Sequence, residues 1–152
     1  DLVTGIVSGG FYLPGSSVRN IENVDGRFAP AALVALGDGN ANVLLGGARA
    51  DTLRGGGGND VINGGGGADV LEGGPGNDRF ELRRGETDGD VILDFDGRGP
   101  AWGDMLIFQG FGPGASLSNV GDIWTISYGA GLSESFQLVG VTQLFPGDVV
   151  MG

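Results

Sequence analysis

From position 37 to position 81 the chain divides into five nine-residue units without an insertion. They read GDGNANVLL, GGARADTLR, GGGGNDVIN, GGGGADVLE and GGPGNDRFE. Position 1 is always glycine. Position 6 is Asn42, Asp51, Asp60, Asp69 and Asp78, and position 8 is Leu44, Leu53, Ile62, Leu71 and Phe80. A fixed short period of this kind constrains the architecture more than any local propensity does. A glycine-rich linker has no reason to keep an acid and a large apolar residue in phase.

Each position has a physical role. Glycine at positions 1, 2 and 4 permits sharp turns and lets carbonyls converge without a Cβ in the way. Positions 7 to 9 form a short strand, and side-chain alternation turns only position 8 inward. One apolar group per unit cannot bury itself alone, but stacked units pool theirs into a continuous core. Two units make one coil, so residues 18 apart stack at about 4.8 Å, the spacing of neighbouring strands. Asn42, Asp60 and Asp78 then form one column, and Asp51 and Asp69 the opposite one.

Stacked carboxylates about 5 Å apart repel by roughly 3 kcal/mol at an effective dielectric of 20. Such columns call for a cation between their members. Composition narrows which one. The chain has 152 residues and no cysteine or histidine; its 8 basic residues are all arginine, against 19 acids, for a net charge of −11. The donors on offer are carboxylates and carbonyls, a hard oxygen set that suits Ca²⁺ better than Mg²⁺ with its strict octahedron. The same absences exclude zinc fingers, His-containing zinc protease sites, thiol nucleophiles, Ser-His-Asp triads, Walker-type phosphate loops and Schiff-base lysines. An acidic field repels phosphate, which makes the chain a poor partner for nucleic acid or anionic lipid. The longest apolar run, residues 29–36, is far short of the roughly 20 residues of a transmembrane segment. No cleavable leader is visible near Asp1.

The pattern G-G-x-G-x-D-x-U-x, with U a large apolar residue, resembles the RTX (hemolysin-type) calcium-binding repeat. That repeat occurs in secreted bacterial cytolysins, proteases, lipases, adhesins, S-layer proteins and the R modules of mannuronan C5-epimerases. The resemblance implies an all-β fold: a parallel β-roll solenoid of about 2.5 coils, capped at both ends by short, mainly antiparallel β elements. It implies a leading cap over residues 1–36, the roll over 37–81 and a trailing cap over 82–152. It also implies a ligand scheme in which carbonyls of positions 2 and 4 and the position-6 acid of one unit face carbonyls of positions 1 and 3 and the position-6 acid two units on.

Carried over, that scheme gives three to four Ca²⁺ ions at four candidate sites. The first joins Asp38, Asn40 and Asn42 to Gly55, Gly57 and Asp60. The second joins Gly47, Arg49 and Asp51 to Gly64, Gly66 and Asp69. The third joins Gly56, Gly58 and Asp60 to Gly73, Pro75 and Asp78. The fourth joins Gly65, Gly67 and Asp69 to Asp88 and Asp90, beyond the last repeat. Asn42 brings no charge, so the first site is expected to be weak or empty.

Upstream, short strands are expected at 2–7, 10–13 and 17–24, the last resembling the strand that often precedes such repeats. Residues 29–36 read as either a degenerate coil or a helical turn. Downstream, strands are expected at 90–95, 105–108, 115–120, 122–128, 134–139 and 148–151, each bounded by turn residues. Trp102, Trp124, Tyr128 and Phe136 read as cap core. Asp94 and Asp104 read equally as strand-end acids or as groups that order the cap. Asp94-Phe95-Asp96-Gly97 opens like an EF-hand loop, but Arg98 and Met105 fall where ligands are needed. The last residues read as a final strand or as an uncleaved export signal.

No nucleophile–base pair is present, so a non-catalytic calcium-binding module is expected. Catalysis would belong to an upstream part of a larger secreted or surface protein of a Gram-negative-type bacterium. The partners implied are Ca²⁺, that upstream domain and the type I secretion machinery. A polysaccharide or cell surface is the partner on the alternative reading, a carbohydrate-binding module in which Arg83 and Arg84 would meet the glycan.

Overall fold

The computed structural model describes residues 17–21, 23–98 and 103–152. Among them there are fourteen strands and no helix. As far as the tenth, the strands alternate between two sheets. One sheet runs β1 (Ser17–Ile21), β3 (Val34–Gly37), β5 (Thr52–Arg54), β7 (Val70–Glu72), β9 (Val91–Ile92), β13 (Leu132–Leu138), β12 (Ile123–Tyr128), β11 (Ser116–Val120). The other runs β14 (Val149–Met151), β10 (Met105–Gln109), β8 (Arg79–Arg83), β6 (Val61–Asn63), β4 (Val43–Leu45), β2 (Asn23–Asp25).

Within the repeats the register is that of an 18-residue coil: Val43 pairs with Val61, Thr52 with Val70 and Val61 with Arg79, all in parallel. The chain is therefore all-β, a parallel roll of two facing sheets. The position-8 side chains make two inward columns. Val24, Leu44, Ile62, Phe80 and Leu106 follow one another across one sheet. Ala35, Leu53, Leu71, Ile92 and Leu138 do so across the other. All ten are buried. Two such groups per coil is a thin core, and the ordering of so many glycines opposes it.

The parallel stack runs past the repeats at both ends. Residues 29–36 form a degenerate coil rather than a helical turn. Val34 pairs with Thr52 at the regular offset, Ala35 takes the inward place, and Leu33 takes the place of the position-6 acid. At the other end β9, β10, β13 and β14 also pair in parallel, and antiparallel pairing is confined to β11–β12–β13. The stack is thus longer than 2.5 coils and its caps are less antiparallel than expected. Strand pairing needs only an extended triplet with an inward apolar residue, not the glycines or the acid.

All six expected downstream strands are present; five differ by a residue or two at their ends, and the one expected at 90–95 is shortened to Val91–Ile92. The expected strand at 17–24 is divided into β1 and β2, while 2–7, 10–13 and Trp102 lie outside the described residues. The trailing core is aromatic. Phe108 meets Phe111 edge-on and packs against Phe136, with ring centroids 5.8 Å and 5.7 Å apart. Trp124 is buried and donates its indole N–H to the Val141 carbonyl at 3.0 Å. Phe136 is buried and Tyr128 packs against the same cluster, so these aromatics are core.

Candidate metal sites

The turns between strands hold the oxygen-rich positions. Gly56, Gly58, Gly65, Gly67 and Gly74 all have φ between 84° and 125°, a region that side chains rarely adopt. They also lack room. A Cβ on Gly56 would run into the carbonyl oxygen of Asp38, one coil away, and a Cβ on Gly55 into the carboxylate of Asp60. Glycine therefore serves two purposes: it lets the turn bend, and it lets carbonyl and carboxylate oxygens crowd one small volume.

The position-6 acids join successive coils. Asp60 Oδ1 accepts the Asn42 N–H at 2.7 Å, Asp69 Oδ1 the Asp51 N–H at 2.7 Å and Asp78 Oδ1 the Asp60 N–H at 2.8 Å. The second oxygens of Asp60, Asp69 and Asp78 are buried and, among the described residues, have no hydrogen-bond partner. A buried carboxylate oxygen without a donor is costly unless a positive group meets it. The cost shows in the acidities. Burial, opposed by the hydrogen bond from the preceding coil, raises Asp60, takes Asp69 to about 6 and takes Asp78 to about 7. Neighbouring carboxylates add to each shift.

Each column begins at a neutral residue. Asp51 Oδ1 accepts the N–H of Leu33 at 2.7 Å, so the first column runs Leu33, Asp51, Asp69 and on to Asp90, whose Oδ1 accepts the Asp69 N–H at 3.0 Å. Burial raises Asp90 to about 8. The second column runs Asn42, Asp60, Asp78. Asn42 turns its amide back on its own turn, donating to Asp38 Oδ1 and to the Asn40 carbonyl. It thus engages groups that the first candidate site would need.

The carbonyls of Asp38, Gly47, Gly73 and Pro75 each accept one N–H from a neighbouring coil, at 2.8 to 3.1 Å. Each keeps a second lone pair. Asp88 stands off the column: it is exposed and accepts the Ser135 N–H at 2.9 Å. Among the described residues no three acidic side chains converge on one point.

The second column does not stop at the last repeat. Asp104 Oδ1 accepts the Asp78 N–H at 2.9 Å, and its other oxygen accepts the Asp96 N–H at 2.8 Å. Asp94 performs a related task. In the repeats the N–H groups of Gly55 and Gly56 donate to the Glu72 and Gly73 carbonyls of the next coil. For Gly73 and Gly74, the two oxygens of Asp94 take that place, at 2.9 and 2.7 Å. Both acids order the cap. The signal for Asp104 is the triplet Asp104-Met105-Leu106, which repeats the Asp-x-apolar phase of Asp78-Arg79-Phe80 outside the nine-residue spacing.

The arginines considered for a glycan are engaged within the chain. Arg83 reaches Glu81 at 3.3 Å and Gln109 at 3.1 Å, and the Arg84 guanidinium lies 4.9 Å from the centre of the Tyr128 ring.

The family described as RTX calcium-binding nonapeptide repeat (4 copies) matches residues 36–71 and, in a second overlapping register, 45–80. Comparison with curated proteins gave no match. Among solved structures the chain is similar to the AlgE6R3 subunit of the Azotobacter vinelandii mannuronan C5-epimerase, with 26% identity over 90% of this chain and 77% of that one and a TM-score of 0.47. Repeat phase, glycine geometry and family match agree: residues 36–80 are an array of RTX calcium-binding nonapeptide repeats.

Proposed function

We propose that the chain is a non-catalytic module whose folding is driven by Ca²⁺ after secretion, and that it stabilises or presents part of a larger extracellular bacterial protein. The observation that carries this reading is the set of buried, partnerless oxygens on Asp60, Asp69 and Asp78. They sit on turns offering only carboxylates and carbonyls, which fits a hard, oxygen-loving cation. Three to four ions are proposed. Asp51 with Asp69, Asp60 with Asp78, and Asp69 with Asp90 would hold three, helped by carbonyls of the adjoining glycine turns. Asn42 with Asp60 would be the weak or empty fourth.

When bound, Ca²⁺ supplies the positive charge that offsets each carboxylate pair. The chain's own residues do the rest. The glycines hold the turns open to oxygen, the Oδ1 bonds fix the coil spacing, and Leu33 closes one column with an apolar group. In a cytosol poor in Ca²⁺, repelling aspartates and a thin core keep the chain unfolded and exportable by the type I machinery. Outside the cell, binding energy becomes folding energy. Any catalysis is assigned to an upstream domain. No helix among the described residues is long and apolar enough to cross a membrane.

Circular dichroism of the chain, stripped of metal and then titrated with Ca²⁺, tests the reading, with bound metal counted by elemental analysis. A β spectrum that appears with Ca²⁺ uptake supports it. The same β spectrum at pH 8.5 with and without Ca²⁺, and no metal retained, rejects it.

A further inference from the structure

The first column is finished by a loop that is not a repeat. Residues 84–90 join β8 to β9 without the glycine pattern of the other turns, yet they bring Asp90 to within 3.0 Å of the Asp69 N–H. The loop receives its shape from β13. Glu134, buried in that strand, accepts the N–H of Gly85 on one carboxylate oxygen at 2.8 Å and the N–H of Thr87 on the other at 3.2 Å. Tyr128 donates its hydroxyl to Glu134 Oε1 at 2.5 Å, and Arg84 lies over the Tyr128 ring.

The next residue, Ser135, holds the second half of the loop. Its N–H donates to Asp88 and its carbonyl accepts the Gly89 N–H at 2.8 Å. The Asp90 carbonyl itself accepts the Gln137 N–H at 2.8 Å. Fixing the loop places a buried carboxylate near Asp90, whose charge repels it. A neutral residue could pack the same space without that repulsion. What a carboxylate adds is two acceptors in one rigid plane, matched to two loop N–H groups two residues apart.

We propose that Glu134 is a positioning residue for the last ion of the Asp51–Asp69–Asp90 column: by fixing the N–H groups of Gly85 and Thr87 it sets Asp90 opposite Asp69. The proposal rests on the calcium reading above. It makes the affinity of one site depend on a strand that contributes no ligand to it.

The test is Ca²⁺ binding by the full 152-residue chain, followed by calorimetry and by ion counting in native mass spectrometry, for wild type, Asp90→Asn, Glu134→Gln and the double variant. Glu134→Gln keeps the volume but presents an amide NH₂ to one of the two loop donors. It should weaken one ion by about tenfold or more, the scale of losing an outer-shell support, and leave the others within about twofold. If Glu134 acts through Asp90, the double variant binds no worse than Asp90→Asn alone, because coupled residues are not additive. Tyr128→Phe should weaken the same single ion by less, and it decides the matter if Glu134→Gln does not fold. The proposal is overturned if all ions weaken alike, if none does, or if the two losses multiply. A wild-type chain that takes up no Ca²⁺ instead overturns the calcium reading, before any variant is made.

Discussion

The Asp78 N–H donates to Asp104 Oδ1 at 2.9 Å across 26 residues of chain, whereas the equivalent bonds inside the repeats span 18. A segment with no nonapeptide pattern thus supplies the acid that the next coil would have supplied. Without it the Asp78 N–H would be a buried donor facing an open edge. Asp104→Ala is therefore expected to destabilise the calcium-loaded fold by about 1–3 kcal/mol, the cost of orphaning a buried donor. Asp96→Asn, at an exposed carboxylate that pairs with Arg98, should leave the unfolding midpoint almost unchanged. Thermal unfolding in saturating Ca²⁺ reads both. Equal midpoints for the two variants would contradict this role for Asp104.

The same pair shows what could be read in the sequence and what could not. The roll, its inward column from Leu44 to Phe80 and the phased acids follow from period and chemistry, because each unit meets a copy of itself. The cap has no such symmetry. Asp90 was legible because it follows the repeats closely and opens an Asp-x-apolar triplet. Asp104 opens the same triplet, but it reaches its partner only after an excursion whose length no spacing rule fixes. Glu134 was illegible for a further reason: its partners in the loop are backbone N–H groups, which leave no trace in side-chain pattern. Residues 29–36 were ambiguous because Leu33 fills the acid's place with an apolar group, which removes the phase marker while preserving the strand.

Removing a column member should be felt as a calcium requirement. Asp60 and Asp69 each carry a buried oxygen with no donor. Asp60→Ala or Asp69→Ala should raise the Ca²⁺ midpoint for folding by on the order of tenfold, since affinity follows the count of charged oxygen ligands. Asp122→Ala removes an acid bonded to Gln137 and Gly140 in the trailing cap, and should raise the midpoint far less. Calcium titrations followed by circular dichroism compare the three. A midpoint for Asp122→Ala as high as for Asp60→Ala would place the calcium dependence elsewhere.

Protons should compete with calcium. In the folded chain Asp69, Asp78 and Asp90 are raised from 3.8 to about 6, 7 and 8, with burial the largest cause. A folded pKa above the unfolded value means that the folded state binds protons more tightly. The stability gained by protonation is complete below about pH 4 and is lost as pH rises through 6 to 8. Without Ca²⁺, the β spectrum should therefore strengthen as pH falls from 8.5 to 5. At pH 5, where the metal-free fold is populated and protonated, Ca²⁺ binding should displace those protons; at pH 8.5, where the metal-free chain is unfolded and ionised, it should displace none. Calorimetry in buffers of different ionisation enthalpy counts the released protons. A count of zero at pH 5 would show these carboxylates to be already ionised in the metal-free fold.

Two glycines in neighbouring coils separate the need for bending from mere abundance of glycine. Gly56 has φ of 106°, and a Cβ there would overlap the carbonyl oxygen of Asp38. Gly39 has no positive φ, and a Cβ there would meet nothing within 4 Å. Gly56→Ala combines an unfavourable backbone region with a clash against backbone that cannot rotate away. About 2–4 kcal/mol of lost stability is expected from those two terms. A shift of the Gly56 carbonyl, assigned to the Asp60–Asp78 site, should also weaken calcium binding there. Gly39→Ala should be neutral or slightly stabilising, because it only reduces the freedom of the unfolded chain. Unfolding midpoints in saturating Ca²⁺ decide between them. If both substitutions proved equally harmless, the close approach of coils at Gly56 would not be a constraint on this fold.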